Sequence, residues 1–194
     1  MWGPTVNENY TVPQTNLIMA GRKKTVLRTI RIPEDLDRVL QEEAARRRAS
    51  VNGLVAGMLE KFAAWDRYTE RFGMVSCSRA VLSGIFASCD EEDLVRRAAE
   101  LGGRLPREYV NLWFKEISPE SLQRYLALIA RYVDLFRGDL ETRGSVLTFT
   151  AHHEFGEKWS RFLEAYFGEM ARSFGLVPKI EHTTSQIILR VKLG

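Results

Sequence analysis

Between residues 25 and 72 the hydrophobic pattern changes its period. In Thr25–Ile32, TVLRTIRI, apolar and polar positions alternate, as in a strand whose two faces differ. Val26, Ile30 and Ile32 share one face, and Leu27, Thr29 and Arg31 share the other. Arg28 interrupts the apolar face. Pro33 then fits the first turn of a helix, where its missing N–H costs nothing. Glu34, Asp35 and Asp37 crowd that turn and suit the positive end of the helix dipole. Leu36, Val39, Leu40 and Ala44 follow at helical spacing, up to Arg46-Arg47-Arg48. Ser50 is an N-cap for a second helix, with an apolar stripe of Val51, Leu54, Val55, Met58, Phe62 and Trp65. This helix is expected to reach Tyr68 or Phe72.

From residue 73 onward the pattern predicts a different object. Helices are expected at 78–89, 90–102, 106–116 and 119–136. Asp90 and Ser118 are capping residues, Pro119 takes a first helical position, and Gly102-Gly103 reads as a stop. Strand-like runs at 138–142 and 145–152 precede a helix at 156–174 that carries Trp159, Phe162, Tyr166 and Phe167 and closes at Gly175. Two further strands are expected at 177–182 and 185–192. The fold class is α+β: a strand–helix–helix module, then a second domain of several helices with a small antiparallel sheet. Residues 1–20 are polar, hold Pro4 and Pro13, and read as a disordered arm. Met19, ahead of Ala20-Gly21-Arg22-Lys23-Lys24, also reads as a start. The expected domains are therefore 21–72 and 73–194.

One strand and two helices cannot stand alone. Both strand edges would be bare, and so short a module buries too little surface. The natural repair is a homodimer, in which each strand pairs antiparallel with its twin. Such a two-stranded ribbon fits the major groove of double-stranded DNA.

Charge sharpens this picture. The chain of 194 residues has a net charge of +3. Residues 21–72 hold 12 Lys/Arg against 8 Asp/Glu, whereas residues 73–194 hold 16 of each. The positive excess thus sits beside the alternating segment, which suits a polyanion partner. Hydrophobic residues at 45% and charged residues at 27% are a globular composition, with no run that reads as a membrane span or a signal peptide. Cys77 and Cys89 form no disulfide framework and read as buried thiols in a reducing cytoplasm.

The segment RTIRIPEDLDRVLQEEAARRRASVNGLV resembles the ribbon-helix-helix (Arc/MetJ/CopG-type) DNA-binding family over residues 22–68. The T-I-R-I-P-E-D-L entry and the S-V-N start of the second helix carry the resemblance. It implies a sequence-specific transcriptional regulator, dimeric, cytoplasmic and associated with the nucleoid. By position, Leu27, Thr29 and Arg31 would read bases. Ser50, Val51 and Asn52 would anchor a phosphate at the helix N-terminus, with Arg22, Lys23, Lys24 and Arg28 along the phosphates. Three residues depart from the pattern. Leu27 is apolar and could meet only a thymine methyl. Arg28 falls on the core side of the alternation. Arg48 stands where glycine is common, at a cost of roughly 1 kcal/mol if its backbone is left-handed.

The second domain offers little chemistry. His152 and His153 end a strand on opposite faces, with His182 at the end of the next, and no spacing forces a metal site. A satisfied structural histidine is the expectation. No nucleophile elbow, phosphate-binding loop or dinucleotide fingerprint is present, so no catalytic residue, metal or cofactor is assigned and the chain is not read as an enzyme. HHEFGEKWSRF resembles a strand–turn–helix element of uncharacterised archaeal proteins carrying the same N-terminal module. Tyr109, Trp113, Phe114, Tyr125, Tyr132 and Phe136 read as core, or as the lining of a pocket for a small-molecule effector. Self-association beyond the dimer is the other expectation. The alternative reading is an antitoxin-like or scaffold protein whose second domain grips a protein partner.

Overall fold

The computed structural model describes residues 25–193. They build six α-helices of ten residues or more and one four-stranded antiparallel sheet. The chain divides into two compact units between Ala63 and Ala64. The boundary expected from sequence, at 72/73, lies further on, because Trp65 belongs to the second core.

In the first unit, α1 (Glu34–Arg46) starts at Pro33, with Glu34, Asp35 and Asp37 in its first turn. It ends in a Schellman closure. Arg48 takes φ +52°, its N–H reaches the Ala45 carbonyl at 3.0 Å, and the Ala49 N–H reaches the Ala44 carbonyl at 2.9 Å. Ser50 caps α2 (Val51–Lys61), accepting from the Gly53 N–H at 3.0 Å. The helical run continues through a π-helical turn (Phe62–Asp66) and a short α turn to a 3-10 turn that ends at Phe72. Leu40, Ala44 and Leu54 form the core of this unit, with Ile32, Val51 and Val55 against it.

Two expectations change here. Residues 25–33 have no regular secondary structure, so the predicted strand is absent from the single chain. A strand exists only through ladder hydrogen bonds, and among the described residues no strand lies beside this segment to supply them. The apolar stripe of α1 is also only half covered. Leu40 and Ala44 are buried, while Leu36 and Val39 stay exposed.

The second unit has α3 (Arg79–Ser88), α4 (Glu91–Phe114), α5 (Pro119–Tyr132), β1 (Arg137–Arg143), β2 (Val146–His152), α6 (Glu157–Ser173), β3 (Lys179–Thr183) and β4 (Gln186–Lys192). The caps fall where the sequence places them. Asp90 accepts from the Asp93 N–H at 3.1 Å. Ser118 and Ser121 cap each other ahead of Pro119. Gly175 follows α6 at φ +77°. α5 stops at Tyr132, short of the expected residue 136.

The predicted stop at Gly102-Gly103 is absent. A single helix of 24 residues runs through both glycines and through Pro106. The reason is helix packing. A Cβ on Gly102 would lie 2.2 Å from the Tyr166 carbonyl oxygen, so α4 and α6 can meet there only without a side chain. Pro106 lacks the N–H that would bond to the Gly102 carbonyl, which places both irregularities in the same turn.

The sheet order is β1-β2-β4-β3. Phe149 pairs with Leu140 on one side and Leu189 on the other. Leu147, Phe149, Ala151, Ile187, Leu189 and Val191 point to the buried face. α5 and α6 cover that face, with Phe136, Phe149 and Phe167 in mutual edge-to-face contact. Thr148, Thr150 and Arg190 lie on the opposite, half-buried face.

Candidate nucleic-acid interface

The residues expected to meet DNA are placed by two local devices. The first is the segment ahead of Pro33. Leu27, Arg28, Thr29 and Arg31 are all exposed there. Val26 and Ile30, expected to face a core, are exposed as well, at 72% and 67%. Of the alternating apolar positions only Ile32 meets the core of the unit. Arg22, Lys23 and Lys24, like the arm at 1–20, lie outside the described residues.

The second device is the start of α2. Ser50 has extended backbone, and its Oγ occupies the Gly53 N–H. The first N–H groups of a helix have no intrahelical acceptor, so those of Val51 and Asn52 are the ones open to an anion. Asn52 is exposed, and Val51 is half-buried against the core. The side chains before Pro33 are exposed, and the Val51 and Asn52 N–H groups have no acceptor within the helix.

The triple-arginine run is partly committed elsewhere. Arg46 donates to Glu43 at 2.8 and 2.7 Å, and Arg47 donates to the same carboxylate. These bonds hold the Glu43 carboxyl down at about 2.

In the second unit His153 and Ser160 form a pair that resembles a nucleophile and its base. Ser160 Oγ lies 3.0 Å from His153 Nε2 and is fully buried. The hydrogen bonds around it assign the protons. Ser160 donates to the Thr183 carbonyl at 2.5 Å, and the Phe155 N–H reaches His153 Nδ1 at 3.4 Å. Nε2 must then donate to Ser160, so the imidazole is a donor there and not a base. Burial, with a smaller push from His152, holds His153 below the ordinary imidazole range. His153 is thus a satisfied structural histidine joining β2 to α6. Ser160 carries no sequence signal for this role beyond its place in the first turn of that helix.

His182 lies between two α6 carboxylates, 3.1 Å from Glu157 and 3.2 Å from Glu164. Among the described residues no group of three or more His, Cys, Asp or Glu is arranged to hold a metal ion. Cys77 is exposed and Cys89 half-buried, so the expected pair of buried thiols is not found. The aromatic residues expected as core divide. Tyr125 and Phe136 are buried, while Tyr109, Trp113, Phe114 and Tyr132 lie half-buried against the core. Tyr125 and Tyr166 hydrogen-bond each other, and burial raises both phenols above their ordinary range. No helix among the described residues is long and apolar enough to cross a membrane.

No family model matches the chain, and no curated protein matches it significantly.

Proposed function

We propose that the protein is a homodimeric, sequence-specific DNA-binding regulator. Residues 25–32 of two chains pair as an antiparallel ribbon that enters the major groove. One observation carries the reading. The first unit leaves Ile30, Val39, Leu59 and Phe62 in solvent, at 67%, 56%, 63% and 56% exposure, around a core of three buried side chains. A second copy would bury these residues and supply the missing ladder partner. In that dimer Leu27, Thr29 and Arg31 form the outer face of the ribbon. The start of α2, at Ser50, Val51 and Asn52, meets the phosphates, with Arg22, Lys23, Lys24 and Arg28 alongside. The second unit is a non-catalytic domain for effector binding or assembly.

The test separates reading from anchoring. Footprinting on the protein's own upstream region supplies a cognate duplex, and fluorescence anisotropy compares it with a scrambled one. Arg31→Ala should lose roughly 1–3 kcal/mol per good contact on the cognate site and little on the scrambled one. Asn52→Ala should weaken both about equally, because phosphates carry no sequence. Parallel losses for Arg31→Ala would reduce it to a phosphate contact and remove the reading face.

A further inference from the structure

Among the described residues, one buried side-chain polar group of the second unit has no hydrogen-bond partner. Trp159 is 4% exposed, and its indole N–H has no hydrogen-bond partner. An interior indole N–H normally finds an acceptor, and leaving one unmet is unfavourable. The ring sits among three phenyl groups. Phe162 stacks on it at 4.8 Å, Phe155 tilts against it at 5.3 Å, and Phe86 meets it edge-on at 4.4 Å. No phenyl group offers a lone pair.

Phe86 differs from the other two in what holds it. Phe162 is on α6 and Phe155 lies two residues before it, whereas Phe86 is on α3. α3 buries none of its own residues, and Val81 and Ile85 face solvent at 55% and 54%. Its remaining tethers are polar and lie near the surface. Lys158 Nζ donates to the Ala87 and Cys89 carbonyls at 3.3 and 2.9 Å, and Arg79 donates to the Asp134 carbonyl at 2.9 Å and faces the exposed Glu154 carboxylate at 3.7 Å. Such a helix belongs to the low-stability end of a fold, where local opening is easiest.

The geometry points to a ligand site closed by α3, in which Phe86 occupies the place of a flat apolar group and Trp159 waits for an acceptor. When α3 lifts, Phe86 leaves a slot walled by Phe155, Trp159 and Phe162. A molecule with a phenyl-sized ring and one adjacent carbonyl would fill the slot and satisfy the indole N–H. The site deepens the effector role given to the second unit, but its test needs no DNA, so failure here leaves ribbon binding standing.

Acetophenone is the probe, and α-methylstyrene, of the same shape without the carbonyl oxygen, is the control. The full chain is titrated while the Trp159 indole N–H resonance is followed, identified by its loss in Trp159→Phe. Phe86→Ala should bind acetophenone about tenfold more tightly than the native chain, because the closed state no longer competes. In Phe86→Ala the control should bind roughly fivefold more weakly than acetophenone, the value of one hydrogen bond, and the Trp159 signal should shift with the ketone alone. Adding Trp159→Phe should erase the difference. Equal binding of ketone and hydrocarbon, or an unmoved Trp159 signal, overturns the site. Amide exchange of the native chain supplies a measurement independent of any variant: α3 should open far more readily than α6. Protection of α3 equal to that of α6 overturns the lid.

Discussion

Arg48 and Gly175 solve one problem with different residues. Each follows a helix at positive φ, and each closes a pair of N–H bonds back to the last turn. Gly175 does so without a Cβ, and Arg48 does so against one. Arg48→Gly should therefore raise stability by about 1 kcal/mol in denaturant unfolding followed by a probe of the first unit. A loss of stability would mean that the Arg48 side chain contributes more than its backbone strain. His153 gives a pH dependence. Its folded pKa is below the unfolded value of 6.5, so below that pH the unfolded chain takes up a proton that the buried imidazole does not. Stability of the second unit should fall as pH drops below about 6.5, with no contribution from this group above it. His153→Gln should be less stable at pH 8 and show a shallower slope below 6.5, measured by urea unfolding at stepped pH. An unchanged slope would rule out His153 as the source of the effect.

Elements were legible in the sequence wherever local chemistry decides them. Ser50, Asp90 and Ser118 announce helix starts because a side-chain oxygen satisfies an end N–H within the same turn. β2, β3 and β4 follow from β-branched and alternating positions. The failures occur where a residue answers to a distant partner. Gly102 looks like a stop by propensity, yet it serves the crossing of α4 with the Tyr166 backbone. The run TVLRTIRI is a different case: its strand was expected from pairing with a second copy, and among the described residues no strand lies beside it. A structural histidine was expected among His152, His153 and His182, but neither the choice of His153 nor its partner Ser160 was legible, since only the fold brings a β2 end to the first turn of α6. The Gly102 contact is testable. Gly102→Ala forces a methyl against backbone rather than against a flexible side chain, so the helices must part. Thermal unfolding should show a loss of roughly 1–3 kcal/mol, while Gly103→Ala, with only the Glu169 Cβ at 4.0 Å, should be neutral or stabilising. Equal effects would remove the close approach as the reason for the glycine.

At the scale of the whole molecule the two units rest on unequal cores. Among the described residues the main core cluster of the second holds twenty buried side chains, enough for a domain that folds unaided. Among the described residues the core of the first holds three, and the described part of it is near the length below which a chain needs disulfides, metal or a partner. Its stability should therefore come from association, and association depends on concentration. Calorimetry of the full chain should show two transitions. The upper one, from the second unit, should not move with protein concentration. The lower one, from the paired first units, should fall by on the order of 15 °C for a hundredfold dilution, given about 2.7 kcal/mol of mass action and the usual unfolding entropy per residue. Ile30→Asp places a charge where the two ribbons would meet, so it should abolish the lower transition, leave the upper one in place and yield monomers in light scattering. A lower transition that ignores dilution would show that the first unit folds by itself. Its exposed Ile30, Val39 and Phe62 would then not be covered by a second copy, and the ribbon would lose its basis.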